Sequence, residues 1–200
     1  MSDVYVEKPR LAFYDLETTG LNYYHDRIIE VATELNGKTF CDLCNVDGEP
    51  LPQIITKLTG ITDETLVSAR PERDVLRDFC HFVGRSRNPI YLVAHNNEGF
   101  DKWFLKNRAN KHRIRLPTSW RYLDSIQLAK LIYPNRDSYS LNNLCKDLNV
   151  KQIQAHRAGD DVRCLKEIFV KMANTYNSQR GLSGNWDSYI NEIWQDTQLT

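Results

Sequence analysis

Apolar and polar positions separate strands from helices along most of this chain. "RLAFYDL" (10–16) and "RIIEVATEL" (27–35) are short, apolar runs that read as a first and a second strand. Asn36–Gly37 follows, the dipeptide favoured in two-residue hairpins, so "KTFCDLCNV" (38–46) is expected to fold straight back as a third strand. A Pro-containing stretch comes next and reads as a loop. "ITDETL" predicts a short helix capped by Thr62 or Asp63. "RPERDVLRDFCHFVG" predicts a longer one, with Pro71 near its first turn and Gly84 at its end. "PIYLVAHN" is a strand of the buried type, followed by a helical "EGFDKWFLKNRAN". "WRYLDS" reads as another strand whose Asp124 caps the helix "SIQLAKLIY", and Ser140 opens "SLNNLCKDLN".

The last long helix has the clearest stripe. From Arg157 to Tyr176 the residues Ala158, Val162, Leu165, Ile168, Phe169, Met172 and Tyr176 recur at three- and four-residue intervals. Asp161 falls inside that stripe and Asp160 outside it. A carboxylate on a buried face is costly unless it is paired or bound to metal. Three strands joined by hairpins, then two reached through helices, predict an α/β fold: a mixed five-stranded sheet flanked by helices.

Composition narrows this picture. The chain has 200 residues, enough for one domain with a substantial core, and no segment of low complexity or linker composition divides it. No apolar run reaches membrane-spanning length, "MSDVYVEKPR" lacks the apolar core of a secretory signal, and no Asn-x-Ser/Thr sequon occurs. An intracellular protein, neither secreted nor in a membrane, is expected. The five cysteines agree, being odd in number and scattered. Cys41 and Cys44 form a CxxC without a second pair, on a strand where their side chains would face opposite sides. Lys plus Arg equal Asp plus Glu at 26 each, so no global field points to a nucleic-acid partner. Locally, "KNRANKHRIR" (106–115) carries cations and no acid, which suits a solvated helix end or, beside a metal site, a guide for phosphates.

The candidate chemistry begins at "FYDLETTG" (13–20). In a strand, residues i and i+2 share a face, so Asp15 and Glu17 would crowd one patch of space. A solvated strand end would tolerate that. So would half of a site for hard divalent cations, which take oxygen ligands. No Gly-x-Ser-x-Gly, Walker loop or dinucleotide fingerprint occurs, which removes the hydrolase elbow and nucleotide-switch readings.

Three motifs stand in order: "FYDLETTG", "VAHNNEGFD" and "AHRAGDD". "LTGIT" lies between the first two, and "LDSIQLAKLIYP" with "SLNNLCKDL" between the last two. Together they resemble the DEDDh 3′–5′ exonucleases, from about Leu11 to about Ala173. The resemblance implies a ribonuclease H-like fold, with an exonuclease domain over 1–176 and a C-terminal extension over 177–200. It implies Asp15 and Glu17 as the first acid pair, Asp101 as the second, and His156 and Asp161 as the His-x-x-x-x-Asp. The four acids would hold two magnesium or manganese ions about 3.5–4 Å apart. Asp15 would bridge both ions, Glu17 and Asp161 would bind the first, and Asp101 would support the second. His156 would take the proton of the attacking water, releasing nucleoside 5′-monophosphates. Thr18, Leu21 and Phe100 match positions that border the terminal nucleotide. His95, in "AHN", is expected to be structural.

The implied partners are 3′ ends of single-stranded DNA or RNA, with frayed or single-stranded ends preferred. A binding or scaffold module on the same fold is the rival, although such modules usually lose an acid and none is missing here. The tail residues Trp186, Tyr189, Ile190, Ile193 and Trp194 suggest a small amphipathic helix that packs on the body or meets a protein partner.

Overall fold

The computed structural model describes residues 10–181 together with Ile190 and Ile193. Strand β1 (Arg10–Thr18) pairs antiparallel with β2 (Ile28–Leu35), and β2 with β3 (Lys38–Asn45). The β2–β3 turn is built as its sequence predicts, with φ of 53° at Asn36 and 79° at Gly37, both in the left-handed region that a tight hairpin requires. Helices α1 (Gln53–Thr59) and α2 (Asp63–Val67) follow, then a two-residue strand β4 (Arg70–Pro71) and helix α3 (Glu72–Val83). The stretch expected as a Pro-containing loop thus contains α1. Its apolar positions in "QIITKLT" are too few for a visible stripe, and its C-cap is the left-handed Gly60 at φ 72°.

Strand β5 (Ile90–Ala94), α4 (Asp101–Lys111), β6 (Trp120–Asp124), α5 (Ser125–Ile132), α6 (Leu141–Asp147) and α7 (Ala158–Arg180) complete the fold. The sheet order is β4-β3-β2-β1-β5-β6, with β5 parallel to β1 and β6 parallel to β5. The expected five strands are present in the expected senses. The sixth, β4, is a two-residue edge pair that leaves no periodic trace in sequence. Among the described residues no helix is long and apolar enough to cross a membrane.

Strand alternation sends alternate side chains to two cores. Phe13, Tyr91, Val93 and Leu123 face α5, α6 and α7, where Phe13 meets Phe169 edge-on at 5.5 Å. Ala12, Tyr14, Leu16, Ile90 and Leu92 face α3 and α4. Both faces are covered, so every residue of β2 is buried, including Glu30 and Glu34. The α7 stripe is buried throughout, and Ile190 and Ile193 join the same cluster. Of the other tail residues, Trp186, Tyr189 and Trp194 lie outside the described residues.

The helices α3 and α4 are also joined by charge. Glu72 accepts from Arg108 Nε at 2.7 Å and from a second Arg108 nitrogen. It also pairs with His112 Nε2 at 2.7 Å and accepts the Ile28 amide at 3.2 Å. Burial raises the Glu72 carboxyl, but the bonds from Arg108 and His112 outweigh it and hold it below its ordinary range. The basic run 106–115 is therefore not uniformly solvated: Arg108 is 2% exposed. It stands three positions before the exposed Lys111, on nearly the same helical face, so periodicity alone could not distinguish them.

Breaking this pair from one side should be expensive. Arg108→Ala leaves a buried carboxylate without its guanidinium partner and should lower the urea-unfolding free energy by about 3–5 kcal/mol. The paired change Glu72→Gln/Arg108→Met should cost far less. Equal losses in the two proteins would show that charge pairing is not what the site requires.

Candidate active site

The sheet's two senses of pairing meet at β1 and create the site. The parallel ladder with β5 ends at Phe13–Val93, whereas the antiparallel ladder with β2 runs on to Thr18. Asp15 to Thr18 therefore project beyond the C-terminal end of β5, at the point where the strand order reverses. Such points in α/β sheets are open to ligands. Asp15 and Glu17 continue the Phe13 face, toward α7. The ladder shifts register just after Glu17, and the chain leaves the sheet there.

Asp101 arrives from the other side of the strand ends. The segment from His95 to Phe100 is tied down by buried side chains rather than by packing alone. Asn97 donates to the carbonyls of Leu92 (3.0 Å) and Leu123 (2.9 Å) and accepts from the Tyr14 hydroxyl at 2.5 Å. Asp124 accepts the amides of Asn96, Glu98 and Ile126, so the expected helix cap also shapes the loop before Asp101. His95 bridges Ser125 Oγ and the Tyr139 carbonyl, each at 2.8 Å, and its pKa is lowered to about 4 by burial. It is a brace. Asp101 then opens α4, 2% exposed, with Oδ1 buried and unpartnered.

The third approach is α7. Asp161 accepts from Gln152 Nε2 at 2.7 Å and from the His156 amide at 3.0 Å. His156 is exposed and takes a left-handed φ of 60°, an uncommon conformation for a residue with a side chain. Asp160, outside the stripe, instead accepts the amides of Ile153 and Gln154 and pairs with Arg163 at 2.8 Å, fixing the loop that carries His156. Glu30 accepts from Arg157 at 2.8 Å and from the Ala158 amide at 2.9 Å, which fastens the start of α7 to β2. Because Glu30 lies directly opposite Glu17, this contact brings the α7 acid to the β1 acids. Ligating atoms of Glu17, His156 and Asp161 all lie within 4.8 Å of one another.

The electrostatics follow from this crowding. Burial raises the Asp15 carboxyl well above its usual range, and the charges of Asp101, Glu17 and Asp161 raise it further. Burial, then Asp161, Glu30 and Asp101, lift Glu17 to about 8 against the opposing Arg157. Burial lifts Asp101 to about 8, with its own amide and that of Leu16 pulling the other way. Burial raises Asp161 too, opposed by Gln152 and the His156 amide. Cations are what this set lacks. Its donors are carboxylate oxygens with one imidazole, and one oxygen is buried without a partner, so the residues fit hard divalent ions.

The three residues expected around a terminal nucleotide lie on the chain segments next to the acids, Thr18 and Leu21 just after Glu17 and Phe100 just before Asp101. Thr18 is buried and donates to the Gly20 carbonyl at 2.6 Å. Leu21 is 84% exposed on the loop beyond β1. That loop is ordered by Asp26, which accepts from the Thr19 hydroxyl and the Asn22 amide; a side chain at Gly20 would strike the Asp26 carboxylate at 2.5 Å. Phe100 is half-buried against Phe104, ring centroids 4.7 Å apart. Gln152, Arg157 and Glu30 were missed from sequence. The one available signal was Glu30, an acid in an otherwise apolar run.

Known proteins resemble this chain over most of its length. The family model described as Exonuclease matches residues 12–169. The DNA polymerase III subunit epsilon of Treponema pallidum is 33% identical over 175 residues, covering 84% of this chain and 78% of that protein. The chain belongs to the DEDD exonuclease family. The PolC-type DNA polymerase III of Bacillus subtilis is 34% identical over 84% of this chain, which spans only 12% of that much longer protein. Among solved structures, E. coli Exonuclease I in complex with a dT13 oligonucleotide superposes with a TM-score of 0.73. The identity is 18%, over 86% of this chain and 42% of that one. The ribonuclease H-like sheet of this family is thus the fold observed.

The raised carboxyls of this exonuclease domain make a stability prediction. An acid whose folded pKa exceeds its unfolded value favours folding while protonated. As pH rises, the unfolded chain ionises first, near pH 4, so unfolding releases protons and gains ground. In chelator, the melting temperature should fall between about pH 5 and about pH 8, where Glu17 and Asp101 ionise in the fold. Magnesium or manganese should restore it, by binding the folded state alone. Asp15→Asn should flatten the decline, and a pH profile unchanged by that substitution would refute the repulsion.

Proposed function

We propose that this chain is a metal-dependent 3′–5′ exonuclease that trims nucleic acid to nucleoside 5′-monophosphates. The observation that carries it is the grouping of Glu17, His156 and Asp161 within 4.8 Å, with the unpartnered Asp101 oxygen at the same strand ends. Membership of the DEDD exonuclease family and the oligonucleotide bound by E. coli Exonuclease I support the same reading.

Asp15, Glu17, Asp101 and Asp161 would hold two divalent cations, magnesium or manganese. When bound, such ions make water a stronger acid and neutralise charge developing at a phosphodiester. The chain's own residues supply the rest. His156, exposed and ordered by the Asp161 bond to its amide, accepts the proton of the attacking water at its imidazole. Thr18, Leu21 and Phe100 receive the terminal nucleotide, and an aromatic face suits only a base free of its pairing partner. Single-stranded or frayed ends should therefore react fastest, with little sequence preference.

Variants of the site and substrates with defined ends test this. Asp15→Asn and Asp161→Asn should abolish hydrolysis with the fold retained. His156→Ala should lose on the order of 10² to 10⁴ in rate while metal still raises the melting temperature. An unaltered pH–rate profile in His156→Ala would assign the proton to another group. A 5′-labelled single strand should give a descending ladder, and a 3′-phosphate should block it. A circular single strand cut at a comparable rate would sink the exonuclease reading.

A further inference from the structure

Far from the carboxylates, α3 and the segment after α4 enclose a groove of about 650 Å³. Five arginines line it, Arg73, Arg77, Arg85, Arg113 and Arg115, and no carboxylate does. Arg77 is neutralised at the rim by Asp74 at 3.3 Å. The other four are exposed and make no ion pair among the described residues. In a chain of zero formal net charge this is a strong local concentration. Arginines near helix C-termini are ordinary, since they complement the helix dipole. That accounts for Arg85, after α3, and for Arg113, after α4. It does not account for Arg73, which sits in the first turn of α3, where the dipole disfavours a cation.

The groove also has a connection to the site. Asp101 opens α4 and the groove lies at the other end of that helix, eleven residues away. At 1.5 Å per residue that is roughly 16 Å. On the exposed side of α4 stands Lys106, its ammonium 5.3 Å from the Trp103 ring and 5.2 Å from that of Tyr122. Trp103 is itself 37% exposed and stacks on Tyr23 at 6.1 Å, beside the loop that carries Leu21. Lys102 is already paired with Glu98 at 2.6 Å and adds little charge. Trp103 and Lys106, which makes no ion pair among the described residues, together offer a single strand an exposed aromatic and a cation.

We propose that the arginine groove is a second binding site, for the phosphate backbone of the strand whose 3′ end lies among the carboxylates, with Trp103 and Lys106 on the path between. This rests on the exonuclease reading for the position of the 3′ end. Guanidinium forks match phosphate oxygens, and these arginines come from two segments that line the groove together, the stretch from Arg73 to Arg85 and the stretch after α4, so more than one phosphate can be met at once. At roughly 3.4 Å per stacked nucleotide, about five nucleotides are needed to span α4. Short substrates cannot reach the groove.

The test is a salt titration. Arg73, Arg85, Arg113 and Arg115 are replaced together by glutamine in the full chain. Binding of a long labelled single strand is measured in an Asp15→Asn background over a range of KCl. Each phosphate contact contributes about 0.7 to the slope of log affinity against log salt, so the slope should fall by about 2 to 3. Trinucleotide hydrolysis by the four-arginine variant in an otherwise unaltered chain should stay unchanged. Equal slopes for the long strand would overturn the proposal. So would a poly-glutamate peptide bound by the arginines and not displaced by the oligonucleotide, which would assign the groove to an acidic protein segment. An absence of hydrolysis in the unaltered chain would strike the exonuclease reading alone, because the arginine-dependent slope would remain.

Discussion

Asp15, Glu17, Asp101 and Asp161 come from β1, α4 and α7 and share a largely dehydrated space, where each ionised group raises the cost of ionising the next. Much of the surrounding structure opposes that repulsion without supplying a cation to the four acids. Asp161 is held by the His156 amide and by Gln152, and for Asp101 the nearby amides of Asp101 itself and Leu16 partly offset the effect of burial. Neutral donors position an acid while leaving its charge available to a metal. An arginine in the same place would satisfy the carboxylate and close the site.

The cations present are set one step back. Arg157 binds Glu30, not Glu17, and Arg163 binds Asp160, not Asp161. Both pairs act on backbone position: the first docks the start of α7 on β2, and the second steadies the loop that ends at His156. Glu72 and Arg108 do comparable work on the opposite face, joining α3 to α4 and thereby fixing the helix that Asp101 opens. Buried pairs of this kind are weak contributors to net stability but strongly oppose loss of one partner. Their use here is geometric.

The fold places the whole arrangement at low cost. A strand paired antiparallel on one edge and parallel on the other must outrun its shorter neighbour, and β1 does so by the residues that carry Asp15 and Glu17. The space beyond β5 is then filled by the Asn97 and Asp124 bonds, which convert an irregular stretch into a rigid support. Stability and site share the same contacts, so the acids sit on ordered elements rather than on a mobile loop.

The sequence alone determined what depends on local periodicity and on residue type. The alternation of β1 put Asp15 and Glu17 on one face, the Asn36–Gly37 turn set the first hairpin, and the α7 stripe separated Asp161 from Asp160. All three are one-dimensional patterns, readable because strands repeat every two residues and helices every 3.6. The ordered motifs carried the family, and with it the expectation of five site residues. Tertiary structure decided the rest. Glu30 is 127 residues from Arg157 in sequence, and no local pattern announces that they touch. Arg108 looks like its basic neighbours until α3 brings Glu72 against it, and α1 emerges from a stretch whose apolar positions are too sparse to declare a helix. Long-range pairing of charges depends on which elements the sheet order brings together, and that is a property of the packed whole.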